Sequence, residues 1–127
     1  RGVHFSFLPN SGAKISDNEI FDNVGIGIRA APGFGVTNLS LKSNKVHDNT
    51  LEGVLLNDTD GSKISGNEVK DNGAGLALLA GSTGNSIKKN VATGNGGSDM
   101  SHDGGSTPNT WKGNVCGTSS GADIDCP

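Results

Sequence analysis

Five asparagines, Asn18, Asn44, Asn67, Asn90 and Asn114, fall 26, 23, 23 and 24 residues apart, and Asn23, Asn49, Asn72 and Asn95 each follow one of them by five residues. Two series in fixed phase are a repeat, and a period in this range marks a stacked architecture in which each unit buries its apolar face on the next. In register the units read Lys14-Ile-Ser-Asp-Asn-Glu-Ile-Phe-Asp-Asn23, Ser40-Leu-Lys-Ser-Asn-Lys-Val-His-Asp-Asn49, Lys63-Ile-Ser-Gly-Asn-Glu-Val-Lys-Asp-Asn72 and Ser86-Ile-Lys-Lys-Asn-Val-Ala-Thr-Gly-Asn95, and a fifth opens at Thr110-Trp-Lys-Gly-Asn114. A further short apolar stretch follows the pair in each unit: Gly27-Ile28, Gly53-Val54-Leu55-Leu56 and Gly75-Leu76-Ala77-Leu78.

Each unit alternates apolar and polar residues over a few positions and then bends at Gly, Asn or Asp, the pattern of brief strands joined by tight turns. No window keeps apolar residues at helical spacing for long enough to compete. The expected fold is all-β: a single-stranded, three-sided parallel solenoid of about five rungs of 23–26 residues, about 20–25 Å tall at the usual strand spacing. One domain covers 1–127, with a partial rung near 1–12, rungs at 13–35, 36–61, 62–84 and 85–108, and a C-terminal cap at 109–127. Ile15, Leu41, Ile64, Ile87 and Trp111 form one inward column. Ile20, Val46, Val69 and Ala92 form the second. Ile28, Val54, Leu76 and Met100 form the third, with Ala30, Leu56 and Leu78 two residues on.

Stacking gives the asparagines a reason. An amide can donate to the same amide one rung away, so a column of Asn satisfies itself, and Asn tolerates the left-handed backbone of a sharp bend. The composition fits. Apolar residues are 31% against roughly 45–50% in an ordinary domain, while Gly numbers 21 and Asn 14. Charged residues are 18% and net charge is −3, so the high charge of a disordered chain is missing. The slightly acidic balance and 4% aromatics argue against nucleic acid, and no apolar run reaches the length of a membrane span.

The rungs resemble those of right-handed parallel β-helix repeat proteins, the pectate-lyase-like superfamily with its carbohydrate-binding and sugar-hydrolysis (NosD-type) domains, whose units read like Asn-x-Ile-x-x-Asn-x-x-Gly-Ile-x-Leu. The segment from Gly94-Asn-Gly-Gly-Ser-Asp-Met through Asn109-Thr-Trp-Lys-Gly-Asn-Val-Cys116 to Cys126 is similar to the C-terminal end of secreted bacterial members. The resemblance implies a right-handed helix and an extracellular or cell-surface bacterial setting. It leaves the activity open, because the superfamily includes polysaccharide lyases, glycoside hydrolases, epimerases, tailspikes and non-catalytic surface proteins. A solenoid needs its end rungs covered. A Cys116–Cys126 disulfide would close the C-terminal tail into a cap and would fit export; the alternative is two buried thiols. Gly2-Val3-His4-Phe5 shares the phase of Gly27-Ile28-Arg29-Ala30, so the N-terminal end is expected to lack a cap and to meet upstream rungs or a partner copy.

Candidate chemistry lies on the outward columns. Lys14, Lys42, Lys63, Lys88, Lys89 and Lys112 are six of the eight lysines and fall in or beside the first strand of each rung, with Asp17 the only acid there. Such a face would hold an anionic polysaccharide such as a uronan; equally, lysine solubilises an exposed strand and guards it against edge pairing. Asp22, Asp48 and Asp71 stack before the second Asn series, where either water screens them or a calcium ion bridges them. Glu19, Lys45 and Glu68 form a column of alternating sign, a self-satisfying arrangement. His47 is expected on the surface, with Asp48 alternating to the opposite face. Asp99, His102 and Asp103 resemble a metal loop only superficially, and the threonines share no column, which sets aside an ice-binding array.

Three functions follow. The first is a secreted polysaccharide-associated module, structural or carbohydrate-binding. The second is a lyase or hydrolase on uronans that uses Asp22, Asp48 or Asp71, although no known catalytic motif is identified. The third is a fibre, spike or assembly segment.

Overall fold

The computed structural model describes residues 3–5, 12–30, 33, 35–106, 108–121 and 123–126, the first three through their backbone. Among the described residues, eighteen short strands coil into a parallel β-solenoid. The first sheet stacks Val3–Phe5, Ile28–Ala30, Glu52–Asn57, Ala74–Leu79, Met100–His102 and Ser119–Ser120. The second stacks Lys14–Ser16, Ser40–Lys42, Lys63–Ser65, Ser86–Lys88 and Thr110–Lys112, and the third stacks Glu19–Phe21, Lys45–His47, Glu68–Lys70, Val91–Thr93 and Val115–Cys116. A short fourth ladder pairs Val36–Thr37 with Thr59–Asp60 at the corner between the first and second sheets. Every pairing is parallel, and no helix of the described residues is long and apolar enough to cross a membrane.

The register carries the inward columns as the repeat predicts. Ile15, Leu41, Ile64, Ile87 and Trp111 are neighbours up the second sheet, and Ile20, Val46, Val69, Ala92 and Cys116 up the third. Up the first run Ile28, Val54, Leu76 and Met100. All of them are buried in one continuous core. Of the partial rung expected near 1–12, Val3–Phe5 pairs with Ile28–Ala30 in the shared phase; residues 1, 2 and 6–11 lie outside the described residues.

The two Asn columns form directional ladders. Asn44 donates its backbone N–H and its side-chain amide to Asn67 Oδ1 at 2.9 and 3.0 Å, and Asn67 does the same to Asn90. The amide of Asn67 also reaches down to the carbonyl of Leu41 at 3.0 Å, so the buried group spends both donors and its acceptor. The second series repeats the scheme from Asn23 through Asn49 and Asn72 to Asn95.

The bends depart from expectation in one respect. The left-handed residue is the one before each Asn, not the Asn. Asp17, Ser43 and Lys89 have φ of 58, 55 and 57°, and Asp22, Asp48 and Asp71 have 54, 53 and 54°; Gly66, Gly94 and Gly113 fill the equivalent places. The left-handed step turns the chain through the corner, and the next residue then points inward, where its amide can join the ladder. Asp suits the step because it visits this region more readily than most residues.

A third ladder escapes notice in the sequence because two of its four members are not Asn. Leu39 N–H donates to Ser62 Oγ, Ser62 N–H to Asn85 Oδ1, and Asn85 N–H to Asn109 Oδ1, each at 2.8 Å. Its signal was the same 23-to-24 spacing with changing residue type. No threonine array forms at the neighbouring positions, where Asp60 stands between two threonines: Thr37 pairs with Asp60 in register, and Thr83 N–H donates to Asp60 Oδ1 at 2.8 Å.

Candidate functional site

The central residue of each second-sheet strand is buried, so its two neighbours face outward. Lys14, Ser40, Lys63, Ser86 and Thr110 are neighbours in one outward column, and Ser16, Lys42, Ser65, Lys88 and Lys112 in the other. All five lysines are exposed, and among the described residues none of them is in an ion pair. An open recess of about 300 Å³ lies between Lys14 and Lys63, lined also by Asn38, Leu39, Ser40 and Gly61. Asn38 holds a left-handed backbone there, φ 53°. Lys89, grouped with these lysines in the sequence, sits at a bend beyond the strand.

Asp22, Asp48 and Asp71 occupy the left-handed bends, and no group of three or more His, Cys, Asp or Glu side chains among the described residues is gathered to hold a metal ion. Asp48 instead turns back to His47, whose Nδ1 lies 2.6 Å from Asp48 Oδ2 while Nε2 lies 3.0 Å from Glu19 Oε1 on the rung below. Strand alternation does not separate His47 from Asp48, because the left-handed step at Asp48 ends the strand. The hydrogen bond to Asp48, and then that to Glu19, raise the His47 pKa. The ring stacks on exposed Phe21, centroids 5.2 Å apart and planes within 3°. Glu19, Lys45 and Glu68 stack in register as the alternating column, while the close contacts of the two acids reach one column over, Glu19 to His47 at 3.0 Å and Glu68 to Lys70 at 3.3 Å.

Asp99, His102 and Asp103 are likewise absorbed by the fold. Burial works against ionisation of Asp99, but hydrogen bonds from the Asn95 side chain and backbone and from Thr118 and Gly117 outweigh it and lower its pKa. Asp103 is held below the usual carboxylate range first by the Ser106 hydroxyl, with burial opposing and Ala80 N–H assisting. His102 continues the column of Ala30, Leu56 and Leu78 and is buried, its ring 6.1 Å from that of Trp111. Asp103 and Glu52 are the acids lining a shallow groove of about 340 Å³ over the first sheet, with Ser98, Ser101 and Ser120. Beyond it, the Cys116–Cys126 disulfide ties down the tail, Cα atoms 5.4 Å apart, and Ile124 packs against the core.

A family model described as "Right handed beta helix region" matches residues 1–122. Among solved structures the chain is similar to the A-module of the Azotobacter vinelandii mannuronan C-5 epimerase AlgE6, at 18% identity and a TM-score of 0.64. That likeness covers 91% of this chain and 38% of the module, so the chain spans well under half of the neighbour's length. No curated protein matches it in sequence.

Proposed function

The chain belongs to the right-handed β-helix family, and from that premise we propose that it is a carbohydrate-binding module whose lysine face holds an acidic polysaccharide. One observation carries the reading. In a chain of net charge −3, five exposed lysines stand on one sheet, outside any ion pair among the described residues. A row of cations at rung spacing, about 4.8 Å, attracts a linear polyanion more than any single one of them. The recess between Lys14 and Lys63, lined by Ser40 and Asn38, adds hydroxyl and amide groups suited to a sugar. The similar solved module is a mannuronan epimerase, and mannuronan is itself a polyuronate, which supports the substrate class. We place the module within a larger carbohydrate-active protein outside the bacterial cytosol. The disulfide favours that setting, because such bonds persist in oxidising compartments.

Catalysis on the same class of polymer is the second reading, favoured by the groove over the first sheet lined by the acids Glu52 and Asp103. Affinity electrophoresis in gels holding polyuronate or a neutral glucan, with product analysis of the soluble fraction, tests both. The expected result is retardation by the polyuronate alone, weakened by salt, without chain cleavage or epimerisation. Equal retardation by the neutral glucan, or none by either, overturns the binding reading; turnover replaces it with the second.

A further inference from the structure

The lysine face has a finer order than a row of charges. Rung by rung, its two outward positions read Lys14/Ser16, Ser40/Lys42, Lys63/Ser65 and Ser86/Lys88. Each rung offers one ammonium and one hydroxyl, and the two exchange sides at every step. Along the axis the step is one strand spacing, about 4.8 Å, and across the sheet the two positions are about 6.6 Å apart. The fifth rung breaks the order, because Thr110 stands where a lysine would continue it.

An equatorially 1,4-linked polyuronate in its extended two-fold form has the same order. Each sugar is turned over relative to the one before it, so its C5 carboxylate and its ring hydroxyls swap sides at each residue, and the sugar advances by about the length of one rung. We infer that the face reads such a polymer laid along the solenoid axis, one sugar to a rung over four rungs, each carboxylate at a lysine and each hydroxyl edge at the serine across from it. The inference rests on the reading that this face binds acidic polysaccharide and adds the orientation, the register and the linkage class. A polymer with three-fold twist or bent axial linkages presents its carboxylates out of step with the lysines after one or two rungs.

The protein's own repeats supply the test. Exchanging Ser40→Lys with Lys42→Ser, and Ser86→Lys with Lys88→Ser, moves all four ammonium groups into one column while net charge and composition stay fixed. Each new residue matches the side chain found one rung away in the same column. Binding is measured by titration calorimetry with a β-1,4-linked oligoglucuronate and with polyglutamate, a flexible polyanion that has no sugar register. Losing two matched exposed ion pairs should weaken oligoglucuronate binding about two- to thirtyfold and leave polyglutamate binding unchanged. If the four-site exchange does not fold, the single-rung exchange of residues 40 and 42 should show about half that loss on the same logarithmic scale. Binding of both polymers that survives the exchange, or falls equally for the two, overturns the register and leaves the broader binding reading standing. No binding of either polymer by the native chain overturns both.

Discussion

Asn95 hands both its backbone N–H, at 3.1 Å, and its side-chain amide, at 2.7 Å, to a single oxygen of Asp99, so a carboxylate ends the ladder that asparagines carry below. The other oxygen of Asp99 accepts from Gly117 N–H and Thr118 N–H, each at 3.0 Å. An amide in this place would turn its NH2 toward two N–H donors, which is why the rung ends in Asp. Asp99 is 3% exposed. Asp99→Ala should therefore cost about 3–4 kcal/mol, and Asp99→Asn about 2 kcal/mol, because buried donors lose their acceptor. The pKa of Asp99 is lowered in the fold, so its contribution is present above the unfolded value, about 3.9, and is lost as pH falls through the folded one. Urea unfolding from pH 6 down to 3 checks both points: Asp99→Asn should flatten the acid limb, and a native-like limb in the variant would refute the assignment.

Position along the ladder sets the cost of breaking it. Asn67 is buried, and its side chain joins Asn44, Asn90 and Leu41, whereas Asn18, at the first described link, is exposed. Asn67→Ala should destabilise by about 3 kcal/mol and Asn18→Ala by well under 1 kcal/mol. Thermal unfolding of the two variants side by side measures the difference. Equal effects would mean that the ladder's stability does not come from buried amides.

Much of this was legible because a solenoid repeats its errors as well as its successes. The columns headed by Ile15, Ile20 and Ile28 could be read directly, since stacking places equivalent residues on one another whatever the local bend. What the sequence hid was the conformation within a rung. Asn67 and Asp71 both look like turn residues, and only the backbone shows that Asp71 carries the left-handed step while Asn67 points inward. The Ser62–Asn85–Asn109 ladder was masked because a hydroxyl stands in for an amide. His47 eluded strand alternation because its partner Asp48 is no longer in the strand. The lysine columns were legible as columns, but their exchange of sides with serine has meaning only once the register is fixed.

His47 is a titrating link between two rungs. Its pKa is raised by the hydrogen bond to Asp48 first and that to Glu19 second. Its contribution is therefore fully present below the unfolded value, about 6.5, and is lost as pH rises through the raised folded value. In an NMR titration of the His47 ring, Asp48→Asn should lower the midpoint more than Glu19→Gln does. The reverse order would show that the contact between rungs, not the bend, dominates. A midpoint unmoved by either change would dissolve the link altogether.

Lys89 shares its bend column with Asp17, Ser43, Gly66 and Gly113, all at positive φ, and a side chain of ordinary shape is strained there. Glycine already serves that bend one rung above and one rung below. Lys89→Gly removes the left-handed penalty, partly offset by the greater freedom of glycine in the unfolded chain, so the urea midpoint should rise by the equivalent of about 0.5 kcal/mol. Because Lys89 stands beyond the strand that carries Lys88, the same variant should keep its retardation in polyuronate gels, whereas Lys88→Gln should reduce it. The pair separates a lysine held by backbone geometry from one that faces the polymer. Equal loss of binding in the two variants would show that the module responds to total charge and not to the second-sheet face.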